Sequence, residues 1–450
     1  MSFSFNAIYN NYSEFRENSL HGLQVKAEEI RPLLEKAKNV NGIEVSEIGK
    51  SFLGESIHKI VIGSGSKKIL AWSQMHGNEA TATKVVFDLV NLISKRPELT
   101  GLIFSKLQLT VIPMLNPDGA KSFTRINAQG IDINRDAYAR LTPESKILHK
   151  IFAELKPEFC LNLHDQRPIY NVGESATPAT LSFLAPPYNK EVEVNEERLI
   201  AIKMVVALEK LLTQELKIGI SRYSDTYERR AFGDTFQSKN VPTVLFEAGG
   251  YRGDHDRELV RSFYFMALLS SLHFLAEDSF LHEDPDDYFK IPVNEELLFD
   301  WIIRRVKITD SGKEWIADVG GQREYSGSKY GKGIIEEVGD LSQYYGYTEI
   351  DGSGCILEKG KVLVSPDENN KDTQELVAKG YTTIQSESFP AGHSLAINIQ
   401  RSAREFLITP GHPANLVVFR NKKIVKVILN GFILDPSRRP FENYYGISLE

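Results

Sequence analysis

Cysteine is nearly absent: Cys160 and Cys355 are the only two in 450 residues, and they lie far apart. That excludes a disulfide framework and a cysteine zinc knuckle. No run of eighteen apolar residues occurs, so no membrane-spanning helix is expected. Met1 to Phe15 carries neither a basic stretch nor an apolar one, so no signal peptide is expected and a cytoplasmic location is the reading. A cationic excess is missing too. Lysine and arginine number 53 against 60 acidic residues, a formal net charge of -7. Bulk charge therefore excludes nucleic acid or an anionic membrane as the expected partner. There is no internal repeat and no low-complexity tract, and none of the ten histidines stands in a His-x-His pair.

What is present is the composition of a globular protein, 42% hydrophobic and 25% charged, in a chain long enough for two or three domains. Apolar spacing predicts a helix from about Ser13 to Lys38. Strand-like runs at 43–48, 57–62, 69–73, 107–113, 159–163 and 241–246 then alternate with helical patterns at 80–95, 143–155, 195–216 and 254–276. That alternation predicts an α/β domain, a sheet flanked by helices, over residues 1–277. Residues 278–288 are acidic and contain Pro285, and they read as a linker. From Phe289 to Glu450 the texture changes to strand-like runs with Gly and Asp-Gly turns, which predicts a smaller, mostly β domain.

Several chemistry-bearing residues fall just past predicted strand ends, where open α/β sheets place ligands. His76 and Glu79 follow the run Ile69–Trp72 and can aim two ligand atoms at one metal ion. His164, after Cys160–Leu163, is the natural third ligand; the alternative is an ordinary capping or core histidine. Glu247 ends the apolar run Val244–Phe246, either as a general base or as the partner of a buried cation. Arg125 is a candidate for stabilising an oxyanion. Asn134 and Arg135 offer a fork suited to a substrate carboxylate. Asp132 can accept from the far ring nitrogen of His76. The competing reading for these four is a solvated loop with a surface ion pair.

Taken in order, His76-x-x-Glu79, Asn116-Pro117-Asp118-Gly119, Gly130-x-Asp132-x-Asn134-Arg135, His164 and Glu247 resemble the zinc carboxypeptidases, in particular the compact bacterial type. The upstream Gly49-x-Ser51-x-x-Gly54-Glu55 resembles the same family, and the likeness covers roughly residues 40 to 277. It implies a mixed central sheet, one zinc per chain held by His76, Glu79 and His164, and Glu247 as general base. It further implies Arg125 as the carbonyl-polarising group, Asn134 and Arg135 as the anchor of a terminal carboxylate, and Asp132 behind His76. The family's mobile tyrosine falls at Tyr227, with Tyr223 competing. Asp165-Gln166-Arg167 departs from the digestive members, so part of the substrate wall differs and Arg167 adds a cation near the pocket.

The implied activity is hydrolysis of an amide next to a free carboxylate, on a peptide or amino-acid amide. The alternatives are a non-standard amide (a cell-wall peptide, a γ-glutamyl bond or an N-acyl amino acid) and a non-catalytic carboxylate-binding module. The C-terminal part, through Asp300–Ile308 and Pro410–Phe419, resembles the small β-sandwich of amidohydrolases; a structural or substrate-restricting role is expected there.

Overall fold

The computed structural model describes residues 4–326, 329–364, 373–385, 397–400, 407–438 and 440–441. The chain divides into two compact units, residues 1–296 and 297–450.

The first unit is built on an eight-stranded mixed sheet. Its strands are β1 (Ile43–Lys50), β2 (Ser56–Ile62), β3 (Lys67–Ser73), β4 (Leu107–Ile112), β5 (Phe159–Asp165), β7 (Leu181–Leu184), β8 (Ile220–Arg222) and β9 (Thr243–Ala248), with the short β6 (Asn171–Val172) set apart. The order across the sheet is β1-β2-β4-β3-β5-β9-β7-β8. The central four strands, β4, β3, β5 and β9, run parallel. They are almost wholly buried, as expected of strands covered on both faces. The chain leaves β3 for β4 on one side and returns to β5 on the other. This reversal opens a crevice at the carboxyl ends of β3 and β5.

Helices α4 (Thr81–Lys95), α5 (Pro97–Lys106), α8 (Glu196–Leu216) and α10 (Glu258–Glu277) share one hydrophobic core with α1 (Phe5–Asn10), α2 (Tyr12–Phe15) and α3 (Ala27–Ala37). The short α6 (Pro117–Ser122) follows β4. Helices α7 (Pro143–Leu155) and α9 (Phe232–Gln237) cover the opposite face around Leu70, Trp72 and Cys160. α10 is long and apolar because it is a core helix, buried along most of its length.

Two sequence expectations change here. The single helix over 13–38 is broken, because residues 16–26 are not helical. Buried side chains take that segment's backbone instead. Arg261 donates to the carbonyls of Leu20 (2.6 Å) and Glu17 (3.1 Å), and Lys84 donates to that of Gly22 (2.7 Å). Asp88 accepts from the Glu17 N–H at 2.7 Å. The segment 278–288 is not a free linker. It forms two 3₁₀ turns, Ser279–His282 and Pro285–Lys290, that pack on α8. Phe280 and Tyr288 are buried there, and Lys210 pairs with Glu283 and Asp287. A short strand, β10 (Asn294–Glu295), then pairs with β6, so the first unit ends at Glu296.

The second unit is mostly β. An antiparallel meander of β11 (Leu298–Asp310), β12 (Lys313–Ser326) and β13 (Lys329–Gly339) continues through β15 (Ile356–Lys359), β19 (Leu416–Arg420), β20 (Lys423–Leu429) and β21 (Phe432–Leu434), with β14 (Tyr345–Asp351) alongside β11. Ser311 and Gly312, both at positive φ, make the two-residue β11–β12 turn whose twist matches the strands. A small parallel sheet, β16 (Lys361–Val364), β17 (Tyr381–Gln385) and β18 (Asn398–Gln400), carries the helix α11 (Thr373–Ala378).

Candidate active site

The carboxyl end of β3 turns sharply so that His76 and Glu79 face the crevice. The Glu79 N–H donates to the His76 carbonyl at 3.1 Å, closing one tight turn. Gly77 is required there. A Cβ on it would lie 1.9 Å from the Gly119 carbonyl carbon. Asn116, in the turn after β4, donates to the Met75 carbonyl (3.1 Å) and accepts from the Gly119 N–H (2.9 Å). The Gln74 side chain donates to the Gly77 and Val25 carbonyls, both at 2.9 Å. The Asn116-Pro117-Asp118-Gly119 turn thus braces the ligand loop. Its Asp118 also accepts from Ser51 Oγ at 2.8 Å, holding the Gly49–Glu55 turn.

His164 sits in β5 directly opposite Glu247 in β9, one strand over. His76, Glu79 and His164 are all buried, and one ligand atom from each lies within 4.8 Å of the others. Glu79 Oε1 is 2.7 Å from His76 Nδ1, and Glu79 Oε2 is 2.7 Å from His164 Nδ1. The two Nδ1 atoms are 3.2 Å apart. Asp132 Oδ1 lies 3.1 Å from His76 Nε2. Accepting a hydrogen bond from the Nε2–H there fixes the tautomer that turns the Nδ1 lone pair inward. Two imidazole nitrogens and a carboxylate oxygen converging in a buried site fit zinc, which takes such ligands and keeps a fourth position open at catalytic centres.

The electrostatics follow from burial. Burial alone would raise the Glu79 carboxyl, but the two imidazoles hold it well below the usual carboxylate range. Glu247 is pushed well above that range by burial and by the neighbouring Glu79 and Asp165 carboxylates. Its Oε2 is buried with no hydrogen-bond partner among the described residues. Arg125 bridges the loop: Nε donates to Asp132 Oδ2 at 2.9 Å, and Nη1 lies 3.4 Å from Glu79 Oε1.

Around this centre the other expected residues are distributed as follows. Asn134 Oδ1 accepts from the Phe232 N–H at 2.9 Å, and Arg135 donates to the Asn134 carbonyl at 2.8 Å, its Nε lying 3.7 Å from Glu228. Arg167 is exposed and donates to Glu296 at 3.0 Å. Tyr227 faces Asp234, Glu228 and Arg229, and Glu247 is not among the charges that shift it. Tyr223 does feel the Glu247 and Glu79 charges, and it packs 5.9 Å from the Tyr170 ring.

Asp165 and Gln166 are not substrate wall. In β5 alternate residues face opposite ways, so Asp165 points away from His164, under α4. There it accepts from Thr81 N (3.2 Å) and Thr81 Oγ1 (2.8 Å) and pairs with Arg257 at 3.3 Å. Gln166 is buried, donating to Ala179 and Ser182 and accepting from Asn294 at 2.9 Å. Arg257 drew no attention in the sequence; nothing in its surroundings there marks it as a partner of Asp165.

The zinc carboxypeptidase family model (Peptidase_M14) matches residues 33–240. That stretch holds the three metal-ligand residues His76, Glu79 and His164. The match ends before the strand bearing Glu247, so that residue's place rests on the sheet register. Carboxypeptidase 2 of Trichophyton rubrum is 26% identical over 102 residues, 22% of this chain and 19% of that protein. Gamma-D-glutamyl-L-diamino acid endopeptidase 1 of Lysinibacillus sphaericus is 31% identical over 85 residues, 17% of this chain and 22% of that protein. The chain thus matches about a fifth of the length of these relatives. A metallo-carboxypeptidase from Burkholderia cenocepacia superposes with a TM-score of 0.46 at 15% identity, covering 57% of this chain and 70% of that one.

Proposed function

We propose that the protein is a zinc-dependent hydrolase that cleaves an amide bond next to a free carboxylate, as a carboxypeptidase does. The observation that carries this reading is the meeting of three metal-ligand atoms within 4.8 Å, beside a carboxylate one strand away with an unpartnered oxygen.

In this reading His76, Glu79 and His164 hold one zinc, which when bound acts as a Lewis acid and lowers the pKa of a coordinated water. Glu247 takes the proton from the attacking water and delivers it to the leaving amine. Its raised proton affinity suits the second half of that task. Water adds to the carbonyl carbon, the C–N bond breaks, and a carboxylic acid and an amine result. Arg125, already held by Asp132, offers N–H donors to the carbonyl oxygen as negative charge builds on it. Asn134 and Arg135 hold the substrate carboxylate. The backbone tie from Phe232 to Asn134 fixes the position of that pair. Tyr223, and not Tyr227, is the tyrosine that lines the centre, and Arg167 stands paired with Glu296 at the exposed rim.

The test is a pair of acyl dipeptides differing only in a free or amidated C-terminus. Zinc-loaded protein should hydrolyse the first and spare the second. Chelation should abolish the reaction and added zinc should restore it. Cleavage of both substrates alike, or full activity after chelation, sinks the reading.

A further inference from the structure

The arginines around the site are nearly all neutralised. Arg125, Arg135, Arg167, Arg222, Arg230 and Arg257 each have a carboxylate oxygen within 4 Å. Arg229 differs. Its guanidinium carbon lies 3.5 Å from the centre of the Tyr138 ring, and among the described residues it has no carboxylate partner. The acids nearest in sequence are already engaged. Glu228 is claimed by Arg230 through both its oxygens, at 2.9 and 2.7 Å, and by Arg135. Asp234 is buried and accepts from the Glu228 N–H at 2.9 Å.

The backbone on either side of this cation is tied down. The Ala137 N–H donates to the Arg230 carbonyl at 3.0 Å, and the Phe232 N–H donates to Asn134 Oδ1 at 2.9 Å. These two bonds fasten the loop bearing Arg229 to the loop bearing Asn134 and Arg135. A guanidinium laid on an aromatic face keeps its N–H edge free, in the plane that suits a carboxylate. Tyr138 is 60% exposed, so that edge lies at a solvent-open rim. Arg135 and Arg229 thus stand on two loops that are hydrogen-bonded to each other.

We propose that Arg229 is a specificity-determining residue that receives a second carboxylate on the residue released by hydrolysis, so the preferred leaving residue is an amino dicarboxylate such as glutamate or aspartate. The proposal rests on the hydrolase reading, with Arg135 holding the main-chain carboxylate.

The experiment compares acyl dipeptides ending in glutamate and in glutamine, which differ in the second carboxylate alone. Wild-type zinc-loaded protein should favour the glutamate substrate in kcat/KM by about tenfold or more, the usual worth of one charge-assisted hydrogen bond. The preference should shrink as salt is added. R229Q should remove it while leaving the glutamine value in place, and R229K should restore part of it. Equal rates on both substrates in the wild type, or an equal loss on both in R229Q, overturns the proposal. If neither substrate is hydrolysed, the hydrolase reading fails separately. Calorimetry with N-acetylglutamate and N-acetylglutamine then decides: tighter N-acetylglutamate binding that R229Q abolishes supports the receptor, and equal binding overturns it.

Discussion

Asp165 and Arg257 form an ion pair 3.3 Å apart on the far side of the sheet end from His164. Arg257 also donates to the carbonyls of Ala248 and Gln166, and Asp165 accepts from the first turn of α4. One pair therefore joins the ends of β5 and β9 to the helix that follows Glu79. Asp165→Asn leaves the largely buried guanidinium without a counter-ion, which costs about 3 to 5 kcal/mol. The expected result is a lower Tm together with weaker zinc retention; an unchanged Tm would show that the pair carries no such role.

Glu247→Gln keeps the shape of the side chain and removes its ability to take a proton. Turnover should fall by about a thousandfold, within the range for a lost general base. The ligands are untouched, so zinc content per chain should stay the same. Metal analysis beside steady-state kinetics checks both halves. Activity near wild type assigns the base elsewhere.

His149, on α7, is packed at 5.2 Å from the Phe232 ring and lies 2.6 Å from the Ala137 carbonyl. Burial pushes its pKa down to about 4. The unfolded chain binds the proton more readily, near the ordinary value of about 6.5. Its contribution to stability is therefore complete above that value and is lost as pH falls toward 4. Tm measured between pH 7 and pH 4 should fall less steeply in His149→Gln than in the wild type. Parallel curves would locate the acid sensitivity in other groups.

Gly77→Ala places a methyl group 1.9 Å from the Gly119 carbonyl carbon, where two backbones meet and neither can yield cheaply. We expect a loss of about 3 kcal/mol, the upper end for overpacking, and disruption of the turn from His76 to Glu79. Zinc stoichiometry and thermal unfolding measure it. Wild-type values for both would mean that the ligand loop tolerates displacement.

The convergence of His76, Glu79, His164 and Glu247 was legible because strand ends, glycine-bounded turns and ligand residues are local signals. His76, Glu79, His164 and Glu247 each follow an apolar run, and those runs became β3, β5 and β9, three neighbouring strands. Asp165 was misplaced because its position after His164 drew it into the pocket, although strand alternation sends it to the other face. The helix over 13–38 failed because tertiary partners, Arg261 above all, claim the backbone that helical periodicity would have satisfied internally. The stretch 278–288 looked like a tether because its charges dominate, while Phe280 and Tyr288 supply the burial. Tyr223 and Tyr227 could not be told apart by spacing. Only the fold puts one of them under the influence of Glu247.

The segment before α3 also sets how small a working fragment can be. The family match begins at residue 33, an inviting place to cut. Arg261 and Asp88 are fully buried against each other, and Tyr12, Glu17 and Leu20 complete their hydrogen bonds. A fragment starting at residue 33 would strip these partners away and open the α4–α10 groove to water, with buried donors at Arg261 and Lys84 left unsatisfied. The stretch recognisable by similarity is thus shorter than the one in which Arg261 and Asp88 keep their partners, and the difference is a strap on the face of α4.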